Sequence, residues 1–325
     1  MFGFGNAPLI GLDIGTATVK AVTLIRRAEN LIAERLAIAA MPAPAPSGGA
    51  SLEASAVSRC LREFCRQEGF RGERVSAGLA GEDLLVARLK LSAAAGQTLE
   101  TAVREEAARL APLPLEQYTL DYQVLDNSSD GQAAEALLVA AKRERVERLR
   151  EIVRQAGKKL VVADSTACAL ANVFELNYQP QPAEITVLLH LGAATMTACI
   201  LRGSTPLLVR DVSLAPLGAS EQEWPRIDRV AVELERVLEW MDEIADEHPL
   251  EPRSTQIQRL MLSGGGARLK GLDQVLRARF NRPLEELNPF RRILFKNGAA
   301  LSRLVLEQAH CLPVAVGLAL REFEP

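Results

Sequence analysis

A short run near the N-terminus concentrates groups that could hold an anion. Gly11-Leu-Asp-Ile-Gly15 leads into Thr16, Ala17 and Thr18, and Lys20 stands two residues further on. A turn of Gly, Ala and Thr carries no bulky side chain, so its backbone N–H groups can approach phosphate oxygens closely. The hydroxyls of Thr16 and Thr18 add donors. Alternation along the outgoing strand puts Lys20 on the face of Thr18, where its ammonium supplies a full positive charge. Asp13, on the incoming strand, is a candidate catalytic group and a candidate magnesium ligand acting through water.

The pattern recurs. Gly11–Leu24 can be laid over Leu188–Leu201, which matches Gly15 with Gly192, Ala17 with Ala194, Thr18 with Thr195 and Ala21 with Ala198. Self-similarity of this kind marks a duplicated architecture. Gly192, Ala193, Ala194 and Thr195 are therefore the second half of a phosphate clasp, and two such hairpins could grip a phosphate chain from both sides of a cleft. His190 occupies the position of Asp13 and is the second catalytic candidate. Gly264, Gly265 and Gly266 follow an expected strand and precede a helix, which leaves room for a flat base or a ribose against the backbone.

These groups need strands to hold them. Leu9–Asp13, Val19–Ile25 and Leu31–Ala40 read as a three-strand meander, and Ile185–His190, Met196–Leu201 and Leu207–Leu214 as another. Arg259–Ser263 reads as the strand before the glycines. Helices are expected over Leu52–Gln67, Thr98–Leu110, Lys142–Gly157, Asp228–His248, Leu272–Phe280 and Pro313–Arg321, from apolar residues spaced three or four apart. Val86–Leu91, Tyr118–Leu125 and Ala136–Ala141 are further strands, so about 84–141 forms an inserted α+β unit. Pro42–Gly49 and Asp126–Gly131 read as loops. The implied domains are a first lobe (1–83 and 142–183), the insert (84–141) and a second lobe (184–325).

Composition narrows the function classes. The 325 residues are 48% hydrophobic and carry a net charge of −3, with 38 basic and 41 acidic residues spread along the chain. No clustered basic face argues for nucleic acid. Five scattered cysteines and three histidines suggest reduced thiols and no dedicated metal cluster. No segment approaches the roughly 20 apolar residues of a membrane span, and the N-terminus does not read as a signal peptide. A cytoplasmic protein is expected.

The ordered set of motifs resembles the actin, Hsp70 and sugar-kinase superfamily and, within it, the PilM proteins of type IV pilus systems, which are relatives of FtsA. The resemblance runs through Arg104-Glu-Glu-Ala-Ala-Arg-Leu-Ala-Pro-Leu-Pro-Leu115, Leu120–Leu125, Leu137–Lys142, Asn288-Pro-Phe290 and Pro313–Phe323. It implies an α/β, two-lobed, ribonuclease-H-like duplicated fold with the insert in the FtsA position. Only about 40 residues separate the second meander from Arg259, so the outer subdomain of the second lobe is expected to be reduced. The family implies ATP and Mg2+ as cofactors. Its implied partner is the cytoplasmic tail of a PilN-like bitopic inner-membrane protein, held in a groove beside the insert. Pilus motor ATPases and the platform protein are further candidate partners, and a homo-oligomer stays open.

Two departures from the family pattern matter. Superfamily members usually carry an acid where His190 stands, and PilM-like sequences often have Asp-x-Glu where this chain has Asp164-Ser-Thr166. Both suggest ATP binding with weak or absent hydrolysis. A small-molecule kinase, an FtsA-like filament protein, and a type II secretion or MSHA-pilus counterpart are the alternatives.

Overall fold

The computed structural model describes residues 7–42, 53–81, 84–92, 98–111, 114–127, 133–214, 223–247, 257–296 and 307–323. Most of the loop expected at Pro42–Gly49 and of the turn expected at Asp126–Gly131 lies outside them. The first meander is β1 (Ile10–Ile14), β2 (Thr18–Arg27) and β3 (Asn30–Ala40). Helix α1 (Ala54–Gln67) leads to β4 (Arg74–Leu79), which pairs parallel to β1. Strand β5 (Leu84–Ser92), helix α2 (Leu99–Leu110), β6 (Tyr118–Asn127) and β7 (Ala133–Lys142) make the expected insert. Its antiparallel sheet has the order β5-β7-β6. Leu89, Leu91 and Leu138 bury one face of that sheet against Ala102, Val103 and Ala107 of α2. The Thr98 hydroxyl caps α2 by accepting from the N–H of Thr101.

Helix α3 (Arg143–Gln155), β8 (Lys159–Ser165) and α4 (Thr166–Tyr178) return the chain to the first sheet. The second meander is β9 (Ile185–Leu191), β10 (Thr195–Arg202) and β11 (Thr205–Ser213). Then come α5 (Glu223–Glu247), β12 (Ile257–Ser263), α6 (Leu272–Phe280), β13 (Leu284–Glu286), β14 (Ile293–Phe295) and α7 (Pro313–Leu320). Helix α5 begins before the expected Asp228. Its Pro225 falls in the first turn, where a missing N–H breaks no helical bond. Among the described residues, α5 is the one regular element between β11 and β12, in keeping with a reduced outer subdomain.

The duplication is plain in the strand order. The sheets run β3-β2-β1-β4-β8, with β14 added at one edge, and β11-β10-β9-β12-β13. In both, an antiparallel meander is followed by two parallel strands. Helices α1 and α3 cover the outer face of the first sheet through Leu61, Phe64, Leu149 and Val153. Helix α5 covers the outer face of the second through Ile227, Val230 and Leu234. Between the sheets lie α4 and α7, packed on Val22 and Leu24 from one side and Leu188, Leu201 and Met261 from the other.

Helix α7 fits only because two glycines let backbones touch. A Cβ at Gly317 would stand 1.9 Å from the Ala169 carbonyl of α4, and one at Gly11 would stand 2.2 Å from that of Ala315. β14 joins the edge of the first sheet, and α7 packs on Val22 and Leu24 of that sheet. Among the described residues, no helix is long and apolar enough to cross a membrane.

Candidate functional site

Both expected turns form, with the same hydrogen bonds. The Gly15 N–H donates to the Thr18 carbonyl at 3.0 Å, and the Gly192 N–H to the Thr195 carbonyl at 2.8 Å. In each, the third strand's far end then braces the tip. The Met41 N–H donates to the Ala17 carbonyl at 2.9 Å, and the Leu214 N–H to the Ala194 carbonyl at 2.8 Å. Thr16, Ala17 and Ala193 are exposed. Their N–H groups take no backbone partner among the described residues, so they are free to meet an anion.

Alternation decides what the hairpins carry inward. Asp13 shares the inner face of β1 with Gly11, and Lys20 shares that of β2 with Val22 and Leu24. The two stand opposite each other in the ladder, and Lys20 Nζ donates to Asp13 Oδ2 at 2.9 Å. His190 lies on the inner face of β9 with Leu188. Burial drives its imidazole down to about pKa 4, with Asp13 opposing the shift and Lys20 adding to it. Asp13 and Lys20 are thus near enough for their charges to act on the ring. At neutral pH the ring is uncharged, and its Nδ1 is 3.0 Å from the Ser263 hydroxyl.

The second inner row continues as Ser263, His190, Thr197 and Asp211 on adjacent strands. The Thr197 hydroxyl donates to Asp211, and Asp211 also accepts the Gly81 N–H at 2.7 Å. Gly81 follows β4, so this contact ties the first sheet to the second. Burial raises the Asp211 carboxyl above its ordinary range, while the Thr197 and Gly81 hydrogen bonds oppose the shift.

The three glycines follow β12 as expected, although a single 3-10 turn (Gly265–Arg268) comes before α6. Gly264 has φ 84°, and a Cβ there would meet the Leu191 carbonyl at 2.4 Å. Its N–H donates to the His310 carbonyl at 2.6 Å. Gly266 packs on the Leu191 side chain, whereas Gly265 faces open space. The glycine turn is therefore fastened to the base of the second hairpin, and the three expected groups of site residues converge.

Asp164 does not face the clasp as a free carboxylate. The Arg321 guanidinium grips it at 2.7 and 3.0 Å, and its Oδ1 accepts the Ser165 N–H. Thr166 opens α4 and is buried. Sequence reasoning missed Ser263, Asp211, Arg321 and Arg226, whose guanidinium donates to the Gly192 carbonyl. Ser263 was findable, since it immediately precedes the glycines. The others come from distant segments.

The phosphate-holding part fits a nucleotide: bare turn amides, one inward lysine and an open glycine turn. Magnesium fits less directly, because Asp13 is already paired with Lys20. Among the described residues, no cluster of three His, Cys, Asp or Glu stands ready to hold a metal. The ion would keep waters and the nucleotide's own oxygens.

A model of the family described as type IV pilus assembly protein PilM matches residues 11–217 and 249–323. Among solved structures, a PilM–PilN type IV pilus biogenesis complex is similar at TM-score 0.76 and 26% identity, covering 98% of this chain and 99% of that one. A Bacteroides thetaiotaomicron protein with an actin-like ATPase fold and unknown function is similar at TM-score 0.47 and 11% identity, covering 89% and 95%. The cytoplasmic domain of EpsL, an inner-membrane component of the type II secretion system of Vibrio cholerae, gives 0.43 and 11%, covering 92% and 93%.

Proposed function

The chain belongs to the PilM family of type IV pilus assembly proteins, and from that premise we propose that it is an ATP-holding scaffold with little or no hydrolytic turnover. Among the described residues, the carboxylates at the clasp are all committed elsewhere and none is placed to act as a base. Asp13 is paired with Lys20, Asp164 with Arg321, and Asp211 with Thr197 and Gly81. The remaining candidate, His190, is neutral, buried and bound to Ser263. That commitment of each described carboxylate at the turns carries the reading. Losing a general base costs on the order of 10²–10⁴ in rate, while phosphate binding by turn amides and Lys20 survives. Binding of fluorescent ATP measured beside phosphate release tests it. Saturable, magnesium-assisted binding is expected, and turnover above roughly 0.1 s⁻¹ would refute the scaffold reading.

The scaffold's partner is the cytoplasmic tail of a PilN-like inner-membrane protein, which would hold this chain at the membrane. Support comes from the similarity to a complex with PilN. A groove of about 560 Å³ beside the insert is the proposed seat of the tail, lined by Leu84, Leu85, Tyr118, Val209 and Val212. An extended, largely apolar segment suits that lining, with polar contacts offered by Arg210 and by Arg229 and Arg236, which share Glu233. A synthetic tail should bind the wild type and lose about tenfold or more in affinity to Leu85→Glu, as burying an unpaired charge demands. Equal affinity would move the seat elsewhere. The proposed divisions are 1–83 with 142–183, the insert at 84–141, and a second lobe at 184–325 whose β14 pairs with the first sheet.

A further inference from the structure

Helix α5 begins beside the second turn, and its first turn delivers one cation there. Arg226 is 9% exposed, and its guanidinium donates to the carbonyl of Gly192, the residue that opens the turn. Its Nε is buried without a partner among the described residues. No carboxylate among the described residues pairs with it, and burial alone lowers its pKa. A guanidinium presents five N–H donors in a fixed fork. Burying such a charge with one carbonyl partner is costly. The turn of bare amides beside it leaves room for an anion that would pair that charge.

The duplication points the same way. The position of Lys20 is taken in the second hairpin by Thr197, which is bonded to Asp211. The second hairpin therefore has no cation of its own on that row. Arg226 reaches the same turn from outside the repeat, from the first turn of a 25-residue helix.

We propose that Arg226 is the second cation of the clasp, donating to a phosphate oxygen of the bound polyphosphate chain from the side of the second hairpin. The inference rests on the nucleotide-holding reading above. In the competing account, Arg226 only braces the Gly192 carbonyl.

Three proteins and two probes separate these accounts. ATP and inorganic tripolyphosphate are titrated against the wild type, Arg226→Gln and Arg226→Lys, and melting is followed with and without each probe. Gln keeps an N–H for Gly192 and loses the charge, whereas Lys keeps the charge. Arg226→Gln is expected to bind both probes about tenfold or more weakly, the scale of one charge-assisted hydrogen bond. Its melting temperature without ligand should be equal or higher, and Lys should recover part of the affinity. Near-wild-type binding by Arg226→Gln overturns the proposal, as does equal weakness in both variants, which signals bracing. A wild type that binds neither probe defeats the clasp reading itself, a result distinct from either.

Discussion

The two hairpins share a backbone and differ in nearly every inward side chain. In the first, Asp13 and Lys20 satisfy each other across the ladder. In the second, the matching positions are His190 and Thr197, tied to Ser263 and Asp211. Main-chain bonds preserve the turn in both, because Gly15 with Thr18 and Gly192 with Thr195 need no side chain to close. The inward row is thus free to diverge. The first row concentrates charge at the cleft, and the second row spends its polar groups joining strands and, through Gly81, joining the sheets. A shared hairpin backbone can therefore keep its turn while the side chains beside it shift from concentrating charge to joining strands.

The comparison can be broken most forcefully at the base of the second hairpin. Gly264→Ala forces a Cβ to within 2.4 Å of the Leu191 carbonyl at a positive φ, a conflict expected to cost about 4 kcal/mol or more. Gly265→Ala, one residue on and facing open space, should stay within about 0.5 kcal/mol. Urea unfolding of the pair checks both, and similar losses would show that the glycine turn is not clamped to Leu191.

In the first hairpin, Lys20→Ala strands the Asp13 carboxylate at a mostly buried site. A loss of about 3 kcal/mol in stability is expected, with ATP affinity falling about a hundredfold as a full charge leaves. Thr197→Val, the matching change in the second hairpin, should reduce ATP affinity less than threefold. Calorimetric titration of both variants would reverse the assignment of roles if the second change proved the more damaging to binding.

His190 sharpens the contrast through pH. Its ordinary value of 6.5 falls to about 4 in the fold, so the unfolded chain binds more protons between those values. Its contribution is full above pH 6.5 and drains away as pH falls toward 4, by up to about 3 kcal/mol. His190→Gln should flatten that slope in denaturation midpoints taken from pH 7 to 4.5. An unchanged slope would mean that His190 titrates freely.

The smallest effect is expected at the link between the sheets. Asp211 has a raised pKa, so its contribution has the opposite sign: stability is lost as pH climbs from 3.8 through the folded value. Asp211→Asn removes that slope and should cost about 1 kcal/mol near neutrality, because one acceptor oxygen remains for Thr197 or Gly81. Faster amide exchange at Gly81 is the local readout, and unchanged protection there would detach this carboxylate from the joining of the sheets.

Much of the frame was legible in the chain. The meanders, the insert and the duplicated turns carry strong local patterns: period-two alternation, amphipathic spacing and small-residue turns. Strand β4, strand β8 and helix α4 did not announce themselves. Thr166–Tyr178 is apolar on nearly every side because it lies between two sheets, with Leu170, Val173 and Phe174 buried. A helix covered all round has no polar face to reveal its period. β13 and β14 are three residues each, too short to show alternation.

The site divides along the same line. Gly15–Lys20 and Gly192–Thr195 could be read directly, because a tight turn of small residues is written in consecutive positions. The groups that decide how the site behaves come from far along the chain. Arg321 neutralises Asp164 across 157 positions, Gly81 reaches Asp211 across 130, and Arg226 arrives at Gly192 from a helix outside the repeat. Sequence alone determined that two matching backbone turns would form, since local spacing suffices for that. Which carboxylates would be free beside them was decided only by tertiary structure, because a charge's partner is set by distance in space.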